Sequence, residues 1–243
     1  MTATETAHPF LDKEQRKIRT LFDRIAHRYD FLNHLLSFNM DKRWRRLAVE
    51  KLAVQDGKRY LDVCTGTGDL ALELARLNKD KDITVIGSDF SVPMLQIGTD
   101  KCGEEGPRLL AGDTSRLPFP DGTFAGISVG FGIRNVENLE AGLAEMQRVL
   151  EPGGRMVILE FTPVRSRLMK PAFHLYCHGI VPLVGNLVSR SRERAYSYLQ
   201  QSIDRWPTAE KFREIIAGVG FTEVGSKTLF PGNVALHWGR RQA

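Results

Sequence analysis

The sequence LDVCTGTGDLALELA, residues 61–75, decides the fold class of this chain. Its first residues are typical of a buried strand, and Gly66 and Gly68 stand where that strand has to give way to a turn. Glycine allows a tight turn and lets a ligand approach the backbone closely. The apolar spacing that follows predicts a helix over 69–78, and the free N–H groups at its start would face that ligand.

Short apolar strands alternate with helices on both sides of this unit. Such alternation is typical of parallel strand–helix–strand units with right-handed crossovers. We therefore predict an α/β fold with a Rossmann-like, doubly wound, mostly parallel sheet of seven strands, closed by a hairpin around Pro-Gly-Asn. The strands are expected at 59–64, 83–88, 108–112, 124–130, 155–161, 222–229 and 234–239, and the helices between them at 69–78, from Pro93 behind a Ser91 cap, at 138–150 and at 208–218.

The chain is expected to form one domain with additions to the sheet. Its 243 residues, with 42% hydrophobic and 26% charged, are typical of a single folded globule. Within 1–243, the predicted segments are an N-terminal helical cap over 12–53, a cofactor-binding core over 58–161, a helical insertion over 162–207 that covers the substrate, and a helix with the hairpin over 208–243.

The cap is predicted to contain two helices. The first runs from Lys13 to Tyr29, where apolar residues recur on one helical face. The second begins at an Asp41 N-cap and ends near Ala53. Its charge run KRWRR, at 42–46, predicts a solvated face around a packed tryptophan.

The net charge of +5 is concentrated in one segment. Residues 164–195 hold six basic residues and one acid, which leaves the rest of the chain balanced. This distribution argues against a uniformly basic nucleic-acid binder. We expect no nucleic-acid partner.

Cysteine and histidine usage indicates a reducing compartment and no metal. The three cysteines are odd in number and contain no C-x-x-C, which argues against a disulfide framework. His174 and His178 flank Cys177 at the spacing of a helical metal pair, but no Glu follows as in H-E-x-x-H, so no metal site is expected. No apolar run reaches the roughly 18 residues of a membrane span, and a secretory signal is not evident, so a cytoplasmic protein is expected.

Three carboxylates follow consecutive strands and identify the ligand class. Asp89 ends the second strand, where it can accept hydrogen bonds from a ribose. Because Gly66, Gly68 and Ala71 also satisfy G-x-G-x-x-[G/A], a nicotinamide-dependent oxidoreductase and a methyltransferase both remain open at this point.

Two further acids favour the methyltransferase. Asp62, just before the glycine turn, could meet a cationic amine, whereas a pyrophosphate would gain nothing from another anion there. Asp113, after the third strand, could accept from an adenine amino group. Any one of these acids could instead serve a turn or a cap. Together they suit S-adenosylmethionine, which carries an ammonium and a sulfonium and no phosphate.

The sequence resembles the ubiquinone/menaquinone biosynthesis C-methyltransferases along most of its length. GTGD (66–69) and LPFPDGTF (117–124) are shared by many class I methyltransferases. FGIRNV (131–136), and the N-terminal Tyr-Asp at 29–30 followed by Leu-Ser-Phe, are specific to the quinone family. The sequence departs from the family pattern near RSRERAYSYL (190–199), where many relatives have a stretch of acidic or small residues.

This resemblance implies a class I methyltransferase fold and S-adenosylmethionine as the cofactor. It implies that Thr67, Asp89, Asp113 and Thr114 contact that cofactor, and Gly130 stands where some relatives have serine. The expected acceptor is a ring carbon of a polyprenyl hydroquinone, such as demethylmenaquinol or 2-polyprenyl-6-methoxy-1,4-benzoquinol.

The implied reaction assigns provisional roles to the family-specific residues. A phenol has a pKa of about 10, and its ring carbon becomes a better nucleophile once the oxygen loses its proton. Arg134 could stabilise the phenolate, or it could form an ordinary loop salt bridge. Asn135 could orient the quinol oxygen or a water, while Tyr29 and Asp30 could close over the site. Water, Tyr29 and another group remain open as the base.

The insertion suggests how a greasy substrate is covered. Residues 168–191 are apolar at the centre and basic at both ends, which predicts a lid that shapes a tunnel for the prenyl tail. The basic residues of 164–195 could also rest on anionic headgroups, making the protein peripheral at the inner face of the membrane. A methyltransferase for a sterol or phospholipid, and a non-enzymatic scaffold that binds S-adenosylmethionine, are the alternatives. The sequence leaves homodimer formation open.

Overall fold

Seven strands form one sheet in the computed structural model, which describes residues 13–164, 175–176, 179 and 202–243. In chain order they are β1 (Arg59–Val63), β2 (Thr84–Asp89), β3 (Arg108–Ala111), β4 (Phe124–Gly130), β5 (Leu150–Phe161), β6 (Thr222–Leu229) and β7 (Val234–Arg240). Their spatial order is β3-β2-β1-β4-β5-β7-β6. The first five strands are parallel, and β7 lies antiparallel between β5 and β6. The predicted fold and its closing hairpin are confirmed.

Six α-helices that lie wholly within the described ranges flank this sheet: α1 (Lys13–Leu36), α2 (Met40–Leu52), α3 (Asp69–Leu77), α4 (Val92–Cys102), α5 (Leu139–Val149) and α6 (Ala209–Gly218). The predicted Ser91 cap is confirmed, because its side chain accepts a hydrogen bond from the Met94 N–H. Helix α1 continues past Tyr29, where the prediction ended, to Leu36. None of the helices in this part of the chain has the length and apolar composition that a bilayer crossing requires.

Two predictions about α2 were wrong. Its N-cap is Asn39, and Asp41 instead lies buried inside the first turn. Trp44 is packed as expected, but Arg45 is only 8% exposed, so the charge run is not wholly solvated. Arg45 turns inward because two carboxylates receive its guanidinium: Asp41, and Asp69 at 2.8 Å. An arginine can be buried when its charge is paired in this way.

The sheet is covered on both faces, as parallel sheets usually are. One core cluster includes Phe124, Ile127 and Phe212, and the other includes Trp44 and Tyr60. The chain leaves β1 toward β2 and β3 and later returns to β4 on the other side of β1. The carboxyl ends of β1 and β4 therefore flank a topological switch point, where open α/β sheets bind their ligands.

Most of the predicted insertion over 162–207 falls outside the described residues. The same holds for His174, Cys177 and His178, and for most of the basic segment 164–195. Three expectations for that segment therefore stay predictions: the substrate lid, the absence of a metal site at its histidines, and the contact with anionic headgroups.

His237 on β7 is a buried group that links stability to pH. It is 0% exposed, packs edge-on against Phe212, and neither ring nitrogen has a hydrogen-bond partner among the described residues. Burial lowers the pKa of this imidazole to about 4. In the unfolded chain a histidine has a pKa of about 6.5. Between about pH 4 and pH 6.5 the unfolded state therefore binds a proton that the folded state does not bind.

Replacing this imidazole, as in His237→Leu, should therefore flatten the acid side of the stability profile. As pH falls from about 6.5 to 4, the wild type should lose up to about 3 kcal/mol through this group, and the variant should not. Urea unfolding at about pH 5 and about pH 7 measures the difference. Exposed His27, changed to Gln, is the control. An unchanged acid slope in the His237 variant would contradict the assignment.

Candidate active site

A cleft of about 640 Å³, counted to its open mouth, lies at the carboxyl edge of the sheet. Six parts of the chain meet there: one face of α1, one residue of α2, the end of β1 with its turn and the start of α3, the end of β2, one residue of α4, and the end of β4 with the segment after it. The lining residues are Tyr29, Asn33, Arg45, Asp62, Cys64, Thr65, Gly66, Thr67, Asp69, Leu70, Asp89, Phe90, Met94, Gly130, Phe131, Gly132 and Asn135. The cleft thus brings together most of the cofactor residues that the sequence predicts.

The glycine turn after β1 has a left-handed backbone. Gly66 and Gly68 have φ values of 57° and 80°, and Cys64 shares this conformation at 54°. Glycine adopts such angles without steric cost. Gly68 then precedes the first turn of α3, whose first two residues, Asp69 and Leu70, line the cleft.

Asp89 holds this turn in place. One of its oxygens accepts the Gly66 N–H at 2.8 Å, and the other accepts the Ser91 N–H at 2.9 Å. Burial raises the pKa of the Asp89 carboxyl to about 6. Each carboxylate oxygen keeps a second lone pair, which leaves capacity to accept from ribose hydroxyls.

Asp62 forms part of the cleft floor. It is 1% exposed and accepts hydrogen bonds from the Thr65 and Ser128 hydroxyls, both at 2.6 Å. Burial again dominates and raises the pKa of this carboxyl to about 6. A cation placed beside Asp62 would favour its charged form. The donor set therefore suits a ligand that carries an ammonium group.

Asp113 and Thr114 lie behind the cleft wall and do not line the cleft. Thr114 Oγ1 is 3.3 Å from Cys64 Sγ, and Cys64 does line it. Asp113 accepts the Ser115 N–H at 2.8 Å, so one of its oxygens serves a local turn. Contact of these two residues with the cofactor stays a prediction. Burial raises the pKa of the Cys64 thiol, which agrees with a packed cysteine and not a nucleophile.

Helix α1 crosses the carboxyl edge and is bonded to the turn beneath it. Asp30 accepts a hydrogen bond from the Thr67 hydroxyl at 2.5 Å and pairs with Lys101 at 2.7 Å. Lys101 also pairs with Asp69 at 2.6 Å. Tyr29, the neighbour of Asp30, faces the cleft. Lys101 was not singled out from sequence, because no motif marks it.

Arg134 is held in a buried ion pair next to the cleft. It lies on a short 3-10 turn, Ile133–Asn135, is 3% exposed in its side chain, and pairs with Glu160 at 2.7 Å. It also donates to the Phe131 carbonyl and to Ser202. Asn135 lines the cleft, whereas Arg134 does not. The loop salt bridge that the sequence left open is therefore present, and Glu160 is the partner that sequence reasoning missed.

Gly130 leaves little room for a larger residue. A Cβ added there would lie 3.1 Å from Leu70 Cδ2, so the serine of some relatives would require Leu70 to shift by a few tenths of an ångström. Both residues line the cleft. The glycine therefore widens this wall slightly.

The chain matches a known family over nearly its whole length. The model of the ubiE/COQ5 methyltransferase family matches residues 11–241. The ubiquinone/menaquinone biosynthesis C-methyltransferase UbiE of Geotalea uraniireducens is 41% identical over 235 residues, covering 95% of this chain and 99% of the relative. The demethylmenaquinone methyltransferase of Thermus thermophilus is 42% identical over 223 residues, covering 91% and 100%.

Solved structures share the fold at lower identity. A possible histamine N-methyltransferase from Thermotoga maritima superposes with a TM-score of 0.63 at 18% identity, over 93% of this chain and 100% of that one. The Haemonchus contortus phosphoethanolamine N-methyltransferase 2, in complex with S-adenosyl-L-methionine, gives 0.57 at 13% identity, over 82% and 52%. Both place this chain among the class I methyltransferase folds.

The substitution Asp62→Asn should have opposite effects on two quantities: the stability of the ligand-free protein and its affinity for S-adenosylmethionine. The pKa of Asp62 is about 6 in the fold and about 3.9 in the unfolded chain, so the stability due to this group is highest at low pH and is lost as pH rises through that window. At about pH 7.5 the ligand-free variant should be more stable by about 1–3 kcal/mol. Its affinity for S-adenosylmethionine should fall about tenfold to a hundredfold, because the ammonium loses its counter-charge.

Thermal denaturation and titration calorimetry measure the two effects. Asp80→Asn, an exposed substitution at the opposite edge of the sheet, is the matched control. Unchanged affinity in the Asp62 variant would remove Asp62 from the cofactor site.

Proposed function

The chain belongs to the ubiE/COQ5 methyltransferase family, and we propose that it methylates a ring carbon of a polyprenyl hydroquinone. Members of this family are S-adenosylmethionine-dependent methyltransferases, and this chain has the fold and the carboxylate-lined cleft for that cofactor. The acceptor we favour is demethylmenaquinol, giving menaquinol, with 2-polyprenyl-6-methoxy-1,4-benzoquinol as a second quinol substrate. The names of the two relatives support both choices.

One observation carries the proposal: aromatic and amide side chains line the same cleft as the carboxylates. Phe131, Asn135 and Tyr29 line it together with Asp62 and Asp89. A quinol ring stacked on Phe131 would have its oxygen within reach of an amide and a phenol. This supports placing the acceptor beside the cofactor, where alignment alone can supply roughly 7–11 kcal/mol of the barrier.

Bound S-adenosylmethionine supplies an electrophilic methyl group on a positively charged sulfur. In the overall reaction the ring carbon forms a bond to that methyl, the sulfur keeps the electron pair of the broken bond, and the ring carbon then loses its proton. The protein's task is to favour the phenolate form of the acceptor and to hold its ring carbon in line. Preorganised donors aimed at the developing oxyanion perform that task in many enzymes.

Tyr29 is assigned as such a donor. Burial raises the pKa of its phenol, partly opposed by the positive charge of Arg134, so Tyr29 keeps its proton at neutral pH. A protonated phenol is a hydrogen-bond donor and a poor base. We therefore assign Tyr29 to stabilising the quinol oxygen and Asn135 to orienting it. Water at the cleft mouth is assigned to accepting the proton of the quinol hydroxyl.

Arg134 is assigned a positioning role. Its pairing with Glu160 compensates its charge, and its bond to the Phe131 carbonyl ties both ends of the turn that carries Phe131 and Asn135. The Arg134 backbone N–H also reaches Glu160, at 3.3 Å. A turn held by a buried pair keeps the acceptor wall rigid. This modifies the direct phenolate contact that the sequence suggests.

The acceptor is tested by incubating purified protein with labelled S-adenosylmethionine and each of the two reduced quinones, and identifying the product by mass. We expect label on a ring carbon of demethylmenaquinol. Label in neither quinol would overturn the proposal and favour another lipophilic acceptor, such as a sterol or phospholipid.

The role of Tyr29 is tested by Tyr29→Phe. Loss of one oxyanion donor should lower kcat about 100-fold, while affinity for S-adenosylmethionine stays unchanged. Tyr60→Phe is the control, because the Tyr60 hydroxyl bonds the Gln55 backbone at the far edge of the sheet. A Tyr29 variant with the kcat of the wild type would remove the assignment.

A further inference from the structure

Two large aromatic side chains are exposed at the same edge of the sheet as the cleft. Phe230 is 79% exposed and precedes β7, whose first residue, Val234, pairs with Phe161 at the end of β5. Phe38 is 72% exposed and precedes α2, and the Trp44 indole of that helix donates to the Phe230 carbonyl at 3.0 Å. The two rings therefore flank the start of α2 at the carboxyl edge.

Packing accounts for only part of the Phe38 ring, which lies 6.0 Å from the ring of Tyr176 and is still 72% exposed. Phe38 has a φ of 53°, the left-handed region that costs a non-glycine residue about 1–2 kcal/mol. Asparagine, which stands next at position 39 with a φ of 58°, tolerates it better. A bulky residue that is strained and remains mostly exposed beside its one described ring partner points to a further contact outside the fold.

Apolar exposure extends from Phe38 along α1. Phe31 and Leu35 are 60% and 44% exposed. They lie seven and three residues before Phe38, so they follow one side of the helix toward the same turn. We call Phe31, Leu35, Phe38 and Phe230 the aromatic edge. Exposed large apolar side chains grouped at one edge are typical of interaction surfaces.

A row of rings connects the aromatic edge with the cleft. Phe131 lines the cleft, and its ring centroid is 4.9 Å from that of Phe161 and 6.2 Å from that of Trp44. Trp44 in turn contacts the backbone of Phe230. A prenyl tail that leaves the acceptor ring along this row would emerge at the aromatic edge.

Basic residues stand beside the exposed rings. Lys42 and Arg43, in the first turn of α2, are both exposed. Apolar tips flanked by cations fit an anionic lipid surface, where each basic residue contributes about 1 kcal/mol. Two copies of the chain meeting symmetrically through this face would instead bring like charges together. The charge pattern therefore favours lipid over self-association.

We propose that the aromatic edge, with Lys42 and Arg43, docks on an anionic phospholipid membrane and opens the cleft toward it. The direction of the tail rests on the proposed function, whereas the docking itself does not. This surface adjoins the basic segment 164–195, because the ring of Tyr176 in that segment lies 6.0 Å from the ring of Phe38. Docking here would let a membrane-dissolved acceptor enter without crossing water.

Flotation with vesicles tests the docking without quinol or cofactor. Wild-type protein should bind vesicles of phosphatidylcholine with phosphatidylglycerol, weaken with added salt, and bind poorly to phosphatidylcholine alone. Phe38→Asn should lower the partition coefficient about tenfold without lowering the melting temperature, because relief of the left-handed strain offsets the lost contact with Tyr176. A purely structural role for the ring would lower the melting temperature and leave vesicle binding unchanged.

Charge is tested by the double variant Lys42→Gln, Arg43→Gln. Its partition coefficient should fall about 30-fold, from about 1 kcal/mol per residue. The control is Arg59→Gln with Lys79→Gln, which removes two exposed basic residues at the opposite edge of the sheet and should bind like the wild type.

Three results would overturn the inference: no binding to anionic vesicles, wild-type binding by both edge variants, or edge variants that change the oligomeric state in gel filtration instead. The second would assign binding to the segment 164–195. A protein that floats as expected but methylates neither quinol would overturn the proposed function and leave the docking intact.

Discussion

The hydrogen bonds of one buried carboxylate organise this molecule around its cleft. Asp89 ends β2 and bonds the Gly66 N–H in the turn after β1 and the Ser91 N–H at the start of α4. It thereby fixes two neighbouring strand ends and one helix start in a single geometry. Burial opposes its ionisation, since it raises the pKa to about 6. A site held in this way is prepared for a ligand that can interact with negative charge.

Helix α1 of the N-terminal cap is joined to this centre by ion pairs and hydrogen bonds, whereas α2 also packs its apolar face on the sheet. Asp30 on α1 reaches Thr67 and Lys101, and Lys101 reaches Asp69, which also receives Arg45 from α2. Because the same helix carries Tyr29 into the cleft, these pairs place an acceptor-side residue over the cofactor side. The buried Arg134–Glu160 pair does the equivalent for the opposite wall. Polar contacts therefore position both sides of the proposed reaction.

The sequence predicted the features that depend only on neighbouring residues. Strand periods, the Gly66–Gly68 turn and the Ser91 cap each depend on a few neighbouring residues, and all were confirmed. The partners of these charges could not be predicted, because Lys101 and Asp30 are 71 residues apart in the sequence. Arg45 was expected in solvent for the same reason: its partner Asp69 belongs to another helix. The FGIRNV motif predicted that Arg134 lies near the site, but its pairing with Glu160 depends on tertiary packing that the motif does not show.

The central claim is that carboxylates at successive strand ends hold S-adenosylmethionine beneath α1. A crystal structure with S-adenosylhomocysteine tests it most directly. The account predicts ribose hydroxyls on Asp89, the ammonium group beside Asp62, and the sulfur facing Tyr29 and Asn135 across the cleft. Electron density for the ligand outside this cleft, or a ribose with no contact to Asp89, would contradict it.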